Sequence, residues 1–251
     1  MSKVGSLTAF AAEAAIWLAG AAIVAGAAGT HWDAPSVDLG ATIAQVWPGA
    51  SPTASPVLEK FHAFLAASDT QYAVSGGGTE EITGEGVVLS VTFTETYQFK
   101  GGDCSDTTTS TVAGKATTQN TVLSGDYFYS RVDNGNWTKA ARDSSAICSL
   151  SVVMDPALAF FDKGVETKNG AQLHRLEVAD QVRLGKNMDA LGRTNNKATL
   201  IFWTQDDGMP AAFQVSGSYD AALNSVPVHV IHTSDGAFTK TSGISVTAPP
   251  V

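Results

Sequence analysis

Residues able to do chemistry are scattered along this chain rather than assembled. His229 and His232 have the look of a metal pair, yet a spacing of three on a strand sends them to opposite faces, which makes them ordinary strand histidines. His174-Arg175 and Asp206-Asp207 fall in or beside turns, where a solvated face accounts for them. No GxSxG, HExxH, phosphate-binding loop or GxGxxG opening a helix occurs. There is no CxxC either, so a zinc site or a thioredoxin-type redox pair is not indicated. Asn136-Trp137-Thr138 matches the glycosylation acceptor pattern, a surface signal rather than a catalytic one. The expectation is a chain with no catalytic residue, no metal and no cofactor. The residues that need explaining are apolar.

The elements that must position them follow from composition. The chain has 251 residues, a formal charge of −9, 44% apolar and 16% charged residues. That is enough apolar material for one sizeable core, and the acidic balance excludes a phosphate-tracking surface, hence nucleic acid. Residues 1–28 carry Lys3, then an apolar Ala-rich run that is short for a span of ~20 residues and ends on Ala25-Gly26-Ala27. They read as a secretory signal peptide or an N-terminal membrane anchor. Either way the remainder is exported, soluble after cleavage or held by the uncleaved segment. Residues 29–54 are an Ala/Pro/Ser/Thr-rich linker, and one domain spans 55–250. In an exported chain an even cysteine count favours a disulfide, so Cys104 and Cys148 are expected to be joined.

Ser55 and Pro56 open a helix as cap and first position, and Val57, Leu58, Phe61, Phe64 and Leu65 lie on one stripe of it. Gly76, Gly77 and Gly78 read as a turn. Beyond them Val87, Leu89, Val91, Phe93, Tyr97 and Phe99 alternate with Ser90, Thr92, Thr94, Thr96 and Gln98. That is a strand with one wet face in an antiparallel sheet. Glu95 falls on its apolar side, at an edge or cavity mouth or beside a buried partner. Thr-rich strands at 105–113 and 116–123 lead to a hairpin turning on Asn134-Gly135, with Tyr127, Phe128, Tyr129, Val132 and Trp137 in its arms. Asp155-Pro156 opens a second helix bearing Leu158, Phe160 and Phe161 and ending at Gly164. Asn169-Gly170 and Asp207-Gly208 turn two more hairpins, and strands at 225–233 and 244–248 close the chain. The fold class is α+β, with roughly ten or eleven antiparallel strands, two or three helices and no parallel crossover.

The helices carry more aromatic bulk than a cap over a flat sheet requires. They and the sheet either fill each other as a closed core or leave an apolar pocket of the kind that holds a lipid tail, and periodicity permits both. The blocks DYFYSRVDNGNWTKA (126–140), MDPALAFFDK (154–163), VETKNGAQLHRLEV (165–178), LIFWTQDDGMP (200–210), HTSDGAF and ISVTAPP resemble, in order and spacing, those of LolA-like envelope proteins. The resemblance is closest to the LppX and LprG group of lipoproteins. It implies a half-barrel, a single curved antiparallel sheet with helices on its concave face, enclosing an apolar cavity for lipid or lipoprotein acyl chains. The chain departs from that group in one respect: neither cysteine lies near the signal segment, where a lipobox would be.

The function expected is non-enzymatic binding or transport of a lipid or acyl-chain ligand outside the cytoplasm, with membrane association possible. The alternative is an envelope sensor that binds a partner protein through the same half-barrel. The cavity residues expected from periodicity are Phe61, Phe64, Leu65, Val87, Leu89, Val91, Phe93, Leu158, Phe160 and Phe161. A one-residue slip would send the strand set to solvent, so the four positions from Val87 to Phe93 stand or fall together on the concave side, facing the helix.

Overall fold

The computed structural model describes residues 55–142, 148–189, 191–223 and 226–251. The expected signal or anchor and the linker lie outside them. Helix α1 (Pro56–Ala66) begins as its sequence requires: Ser55 is extended and its side chain accepts from the Leu58 amide, with proline in the first turn. The helix ends at Ala67, where Thr70 Oγ1 donates to the carbonyls of Phe64 and Ala67. Val57, Phe61 and Leu65 form its buried stripe.

The first half of the sheet is a meander: β1 (Gln71–Gly84), β2 (Val87–Lys100), β3 (Asp103–Val112), β4 (Lys115–Ser124), β5 (Tyr127–Val132) and β6 (Thr138–Ala141). A 3-10 turn (Ser149–Val152) leads to the second half, β7 (Phe160–Lys168) and β8 (Ala171–Val178). Helix α2 (Gln181–Asp189) follows, then β9 (Thr194–Thr204), β10 (Pro210–Leu223) and β11 (Val226–Lys240). All join in one 11-stranded sheet of order β6-β5-β4-β3-β2-β1-β11-β10-β9-β8-β7. Every pairing is antiparallel, and the two meanders meet where β1 lies beside β11. Among the described residues nothing pairs with the outer sides of β6 and β7, so the sheet is an open, curved half-barrel. Its inner face packs on the helices.

Several expectations need correction. Gly76, Gly77 and Gly78 are not a turn but the middle of β1. A Cβ on Gly76 would stand 2.2 Å from the Asp235 carbonyl oxygen, and one on Gly77 2.3 Å from that of Phe93. The strand lies so close to both neighbours that only glycine fits, which a sequence reads as a breaker. The helix expected from Asp155 to Gly164 does not form. Asp155 caps a tight turn instead, accepting from the Ala157 amide at 2.9 Å, and Phe160 and Phe161 open β7 on opposite faces. Gly164 takes φ +89 inside a bulge of that strand rather than ending a helix.

The hairpin of β5 and β6 exists, but its turn is not Asn134-Gly135 in mirror-image form. Asp133 takes the positive φ of 49, and the Gly135 amide donates to the Val132 carbonyl at 2.9 Å. The hairpin sits at the sheet's edge, with β2, β1, β11 and β10 at its centre. The last strand runs on to Lys240, and residues 244–248 are not a strand. Helix α2 is an addition the sequence reading lacked.

Cys104 and Cys148 are joined, with Cα atoms 6.0 Å apart, and the bond ties β3 to the 3-10 turn. In the chain-entropy model closing a loop of that size contributes ~4 kcal/mol. Among the described residues no helix is long and apolar enough to cross a membrane.

Candidate functional site

Directly opposed residues of antiparallel strands share a face, so the register fixes which side chains line the inside. From β2 these are Leu89, Val91, Phe93, Glu95, Tyr97 and Phe99; opposite them β1 offers Ile82, Glu80, Gly78, Gly76, Val74 and Tyr72. The inner face is layered. At the helix end, Phe61 of α1 meets Phe160 of β7 at 5.4 Å and Phe202 of β9 at 5.1 Å between ring centres. Phe202, Phe213 and Phe238 continue the group at 6.1 to 6.4 Å, and Tyr72 stacks on Phe99 at 4.9 Å. These edge-on and tilted contacts are the geometries aromatic rings prefer. Leu65, Leu158, Leu184 and Met188 complete the cluster, and Phe64 and Leu58 pack at its margin. At the other end Ile82, Val91, Val112, Tyr219, Leu223, Val228 and Val230 form a second cluster, with Leu89 against it.

The expected cavity residues therefore divide. Phe61, Phe64, Leu65, Leu158 and Phe160 come together under α1. Val91 and Leu89 share the inner face but join the far cluster, and Phe93 stacks on His232 at 5.7 Å between the two. Val87 begins the strand, half-buried, outside both groups. The strand's residues that meet the α1 cluster are Tyr97 and Phe99 instead. Phe161 is 43% exposed on the outer face, with Lys163 Nζ 5.1 Å from its ring centre. Around Phe61 the packing is closed. Open space lies elsewhere, in a groove of about 760 Å³ between α2 and the β9–β10 pair, lined by Gly185, Lys186, Asn196, Ala198 and Gly217 among others.

Between the clusters runs a polar band, for which Glu95 was the one signal in the sequence. Glu80 is 2% exposed; its Oε1 accepts from the Tyr219 hydroxyl at 3.1 Å and pairs with His232 Nδ1 at 3.0 Å. Burial pushes this carboxyl up, but the His232 and Tyr219 hydrogen bonds and the positive charge of Arg193 outweigh it and hold Glu80 below its ordinary range. Arg193 lies over the Tyr219 ring at 4.3 Å. Farther along, burial pushes Glu95 up to about 7 and Asp106 well above the carboxylate range, and each lies beside the other. One inner face thus holds one carboxyl kept below its ordinary range and two pushed above theirs. β3 was legible only as a Thr-rich strand, and a strand polar on both faces gives no sign that Asp106, Thr108 and Ser110 lie inside.

His229 and His232 do point to opposite faces, His229 to a partner at the surface, Asp220, at 2.7 Å. His174 stands between Asp162 and Asp206 at 3.3 and 3.4 Å, at the end of the β7–β8 pair.

No family model matches this chain, and no curated protein matches it. Among solved structures it is similar to LprF from Mycobacterium bovis, at 10% identity and a TM-score of 0.43, over 79% of this chain and 98% of that one. It is also similar to the lipoprotein LppX from Mycobacterium tuberculosis, at 10% identity and a TM-score of 0.39, over 78% and 100% of the two chains. A LolA superfamily protein from Nitrosomonas europaea matches at 12% identity with a TM-score of 0.27, over 76% and 96%. LppX and the LolA superfamily are also what the sequence blocks resemble.

Proposed function

We propose that this chain is an exported, non-enzymatic carrier that binds the acyl chain of a lipid between helix α1 and the inner face of the sheet. The observation that supports the reading is how α1 is held. Its buried side, Val57, Phe61 and Leu65, touches the sheet through apolar and aromatic contacts. Its polar ties are peripheral: at the cap Ser55 Oγ donates to Asp162 Oδ2 of β7, Lys60 Nζ donates to the Asp206 carbonyl at 2.9 Å, and His62 Nδ1 lies 3.2 Å from the Pro156 carbonyl.

A helix satisfies its own backbone hydrogen bonds, so shifting it off the sheet exposes no unpaired backbone group. What is lost is apolar contact, which an acyl chain of the same polarity restores at ~0.8 kcal/mol per methylene. The closed cluster is then the unloaded arrangement, with Phe61, Phe64, Leu65, Leu158 and Phe160 as the wall that parts. Val87, Leu89, Val91 and Phe93 continue the same face beyond it.

Titration with a fluorescent fatty acyl probe tests this. Saturable binding, weakened by Phe64→Ala, is the expected result; no detectable binding by the wild-type protein would leave a closed core with no carrier role. Mass spectrometry of organic extracts of the protein purified from its own host identifies the natural cargo.

A further inference from the structure

Across β2, β3 and β4 the inner face turns polar between its apolar ends. In register, Tyr97, Asp106 and Thr121 stand in one row, and Glu95, Thr108 and Gln119 in the next. Asp106, Thr108 and Thr121 are 3%, 1% and 1% exposed. Thr108 Oγ1 donates to Asp106 Oδ2 at 2.9 Å. The Glu95 and Asp106 carboxyls stand on adjacent rows of this face, burial pushes both above their ordinary range, and Asp106 Oδ1 finds no hydrogen-bond partner among the described residues. Thr121 Oγ1 and Gln119 Oε1 are buried and find no hydrogen-bond partner among the described residues. The row on the other side of Tyr97 is Phe99, Cys104 and Leu123, which belongs to the apolar group under α1. At ~3.3 Å of rise per residue, the polar patch begins about 7 Å from that row.

Buried oxygens left without donors are costly, and an apolar core would be completed more cheaply by valine or leucine at these positions. Their repetition on adjacent rows, beside an acid pair and at the end of the apolar cluster, points to a ligand group that donates and accepts. Resting on the carrier reading above, we propose that this patch receives hydroxyl groups at the polar end of the cargo, so that the preferred ligand is an uncharged, hydroxyl-bearing lipid. A hydroxyl donates to Thr121 Oγ1 or Gln119 Oε1 and accepts from the acid pair without any change of charge. An ammonium group brings donors alone and has nothing to accept from Asp106 or Glu95 when they are protonated.

The test is competition for the bound fluorescent acyl probe by monopalmitoylglycerol and by methyl palmitate, which share chain and ester and differ in two hydroxyls and the two carbons that bear them. The wild-type protein is expected to prefer the glycerol ester by about tenfold. Thr121→Val combined with Gln119→Leu should bring the two competitors to near equality, chiefly by weakening competition by the glycerol ester. Should the pair of changes impair folding, the near-isosteric Thr121→Val alone should still lower the ratio several-fold. Equal competition by the two esters in the wild-type protein would overturn the hydroxyl site and leave the carrier standing, as would an unaltered preference in the variants. Failure of the probe to bind at all would remove the carrier reading, and this site with it.

Discussion

Phe61 of helix α1 and Phe202 of β9 stand 5.1 Å apart, ring centre to ring centre, and both are fully buried. This contact joins the helix to the second half of the sheet, while the Tyr72 and Phe99 stack belongs to the first half. Phe61→Ala should therefore cost about 3 to 5 kcal/mol, through lost contacts and the void left behind. Phe64→Ala, at the margin of the same cluster, should cost clearly less and act mainly on acyl-probe affinity. Denaturant midpoints of both variants, measured beside probe titrations, check the order. An equal loss of stability in the two would mean that Phe64 is as much a part of the closed core as Phe61.

The disulfide gives a second expectation. Because Cys104 and Cys148 are both buried and join β3 to the 3-10 turn under the helices, reduction or a double change to serine should cost about 2 to 4 kcal/mol. Thermal unfolding with and without reductant measures it. A reductant-insensitive midpoint in the wild-type protein would show that the cross-link contributes little to its stability.

Much of the architecture was legible in the chain, and the reasons differ by element. Helix α1 was read from Ser55, Pro56 and an unbroken stripe, and β2 from strict alternation, because those signals are local. The segment from Asp155 to Gly164 misled because proline after aspartate marks a turn as readily as a helix start, and only pairing with β8 makes Phe160 a strand residue. Helix α2 has just Leu184 and Met188 for a buried apolar stripe and a glycine at its centre, so its periodicity is faint. Of the candidate site, the aromatic group under α1 was visible as apolar bulk. The polar rows were not, since Asp106, Thr108 and Thr121 lie inside only because the register of three strands puts them there.

The pH dependence of stability follows from carboxyls of opposite behaviour. Glu95, pushed up to about 7 chiefly by burial, holds its proton more tightly folded than unfolded. Its contribution is full below its ordinary value near 4.5 and is lost as pH rises from there to about 7; Asp106 acts in the same sense. Glu80, Asp155 and Asp162 do the reverse. Burial opposes their ionisation, but hydrogen bonds and neighbouring cations prevail, and they stabilise above their ordinary values and lose this on acidification. Stability should thus peak in mildly acidic solution and decline toward neutrality. Glu95→Gln should flatten the decline between pH 5 and 7 while leaving the acid limb in place. An unchanged slope in that variant would mean that the pair does not control it.

The last prediction concerns the glycines in the middle of β1. A methyl group on Gly76 would stand 2.2 Å from the Asp235 carbonyl oxygen and 2.7 Å from the Gly236 Cα, both backbone atoms that cannot swing away. On Gly86, in the turn that follows, nothing lies within 4 Å, and only the positive φ of 76 opposes a side chain. Gly86→Ala should therefore cost ~1 kcal/mol, the ordinary strain of an alanine in the left-handed region. Gly76→Ala must push β11 away from β1, and that pairing is where the two meanders join. Its loss should be several times larger, on the order of the ~4 kcal/mol that marks exceptional substitutions. Hydrogen exchange should localise the damage to amides of β1 and β11 rather than to the β5–β6 edge. Equal midpoints for the two variants would mean that the sheet can relax at Gly76, and that its curvature there does not depend on the glycine.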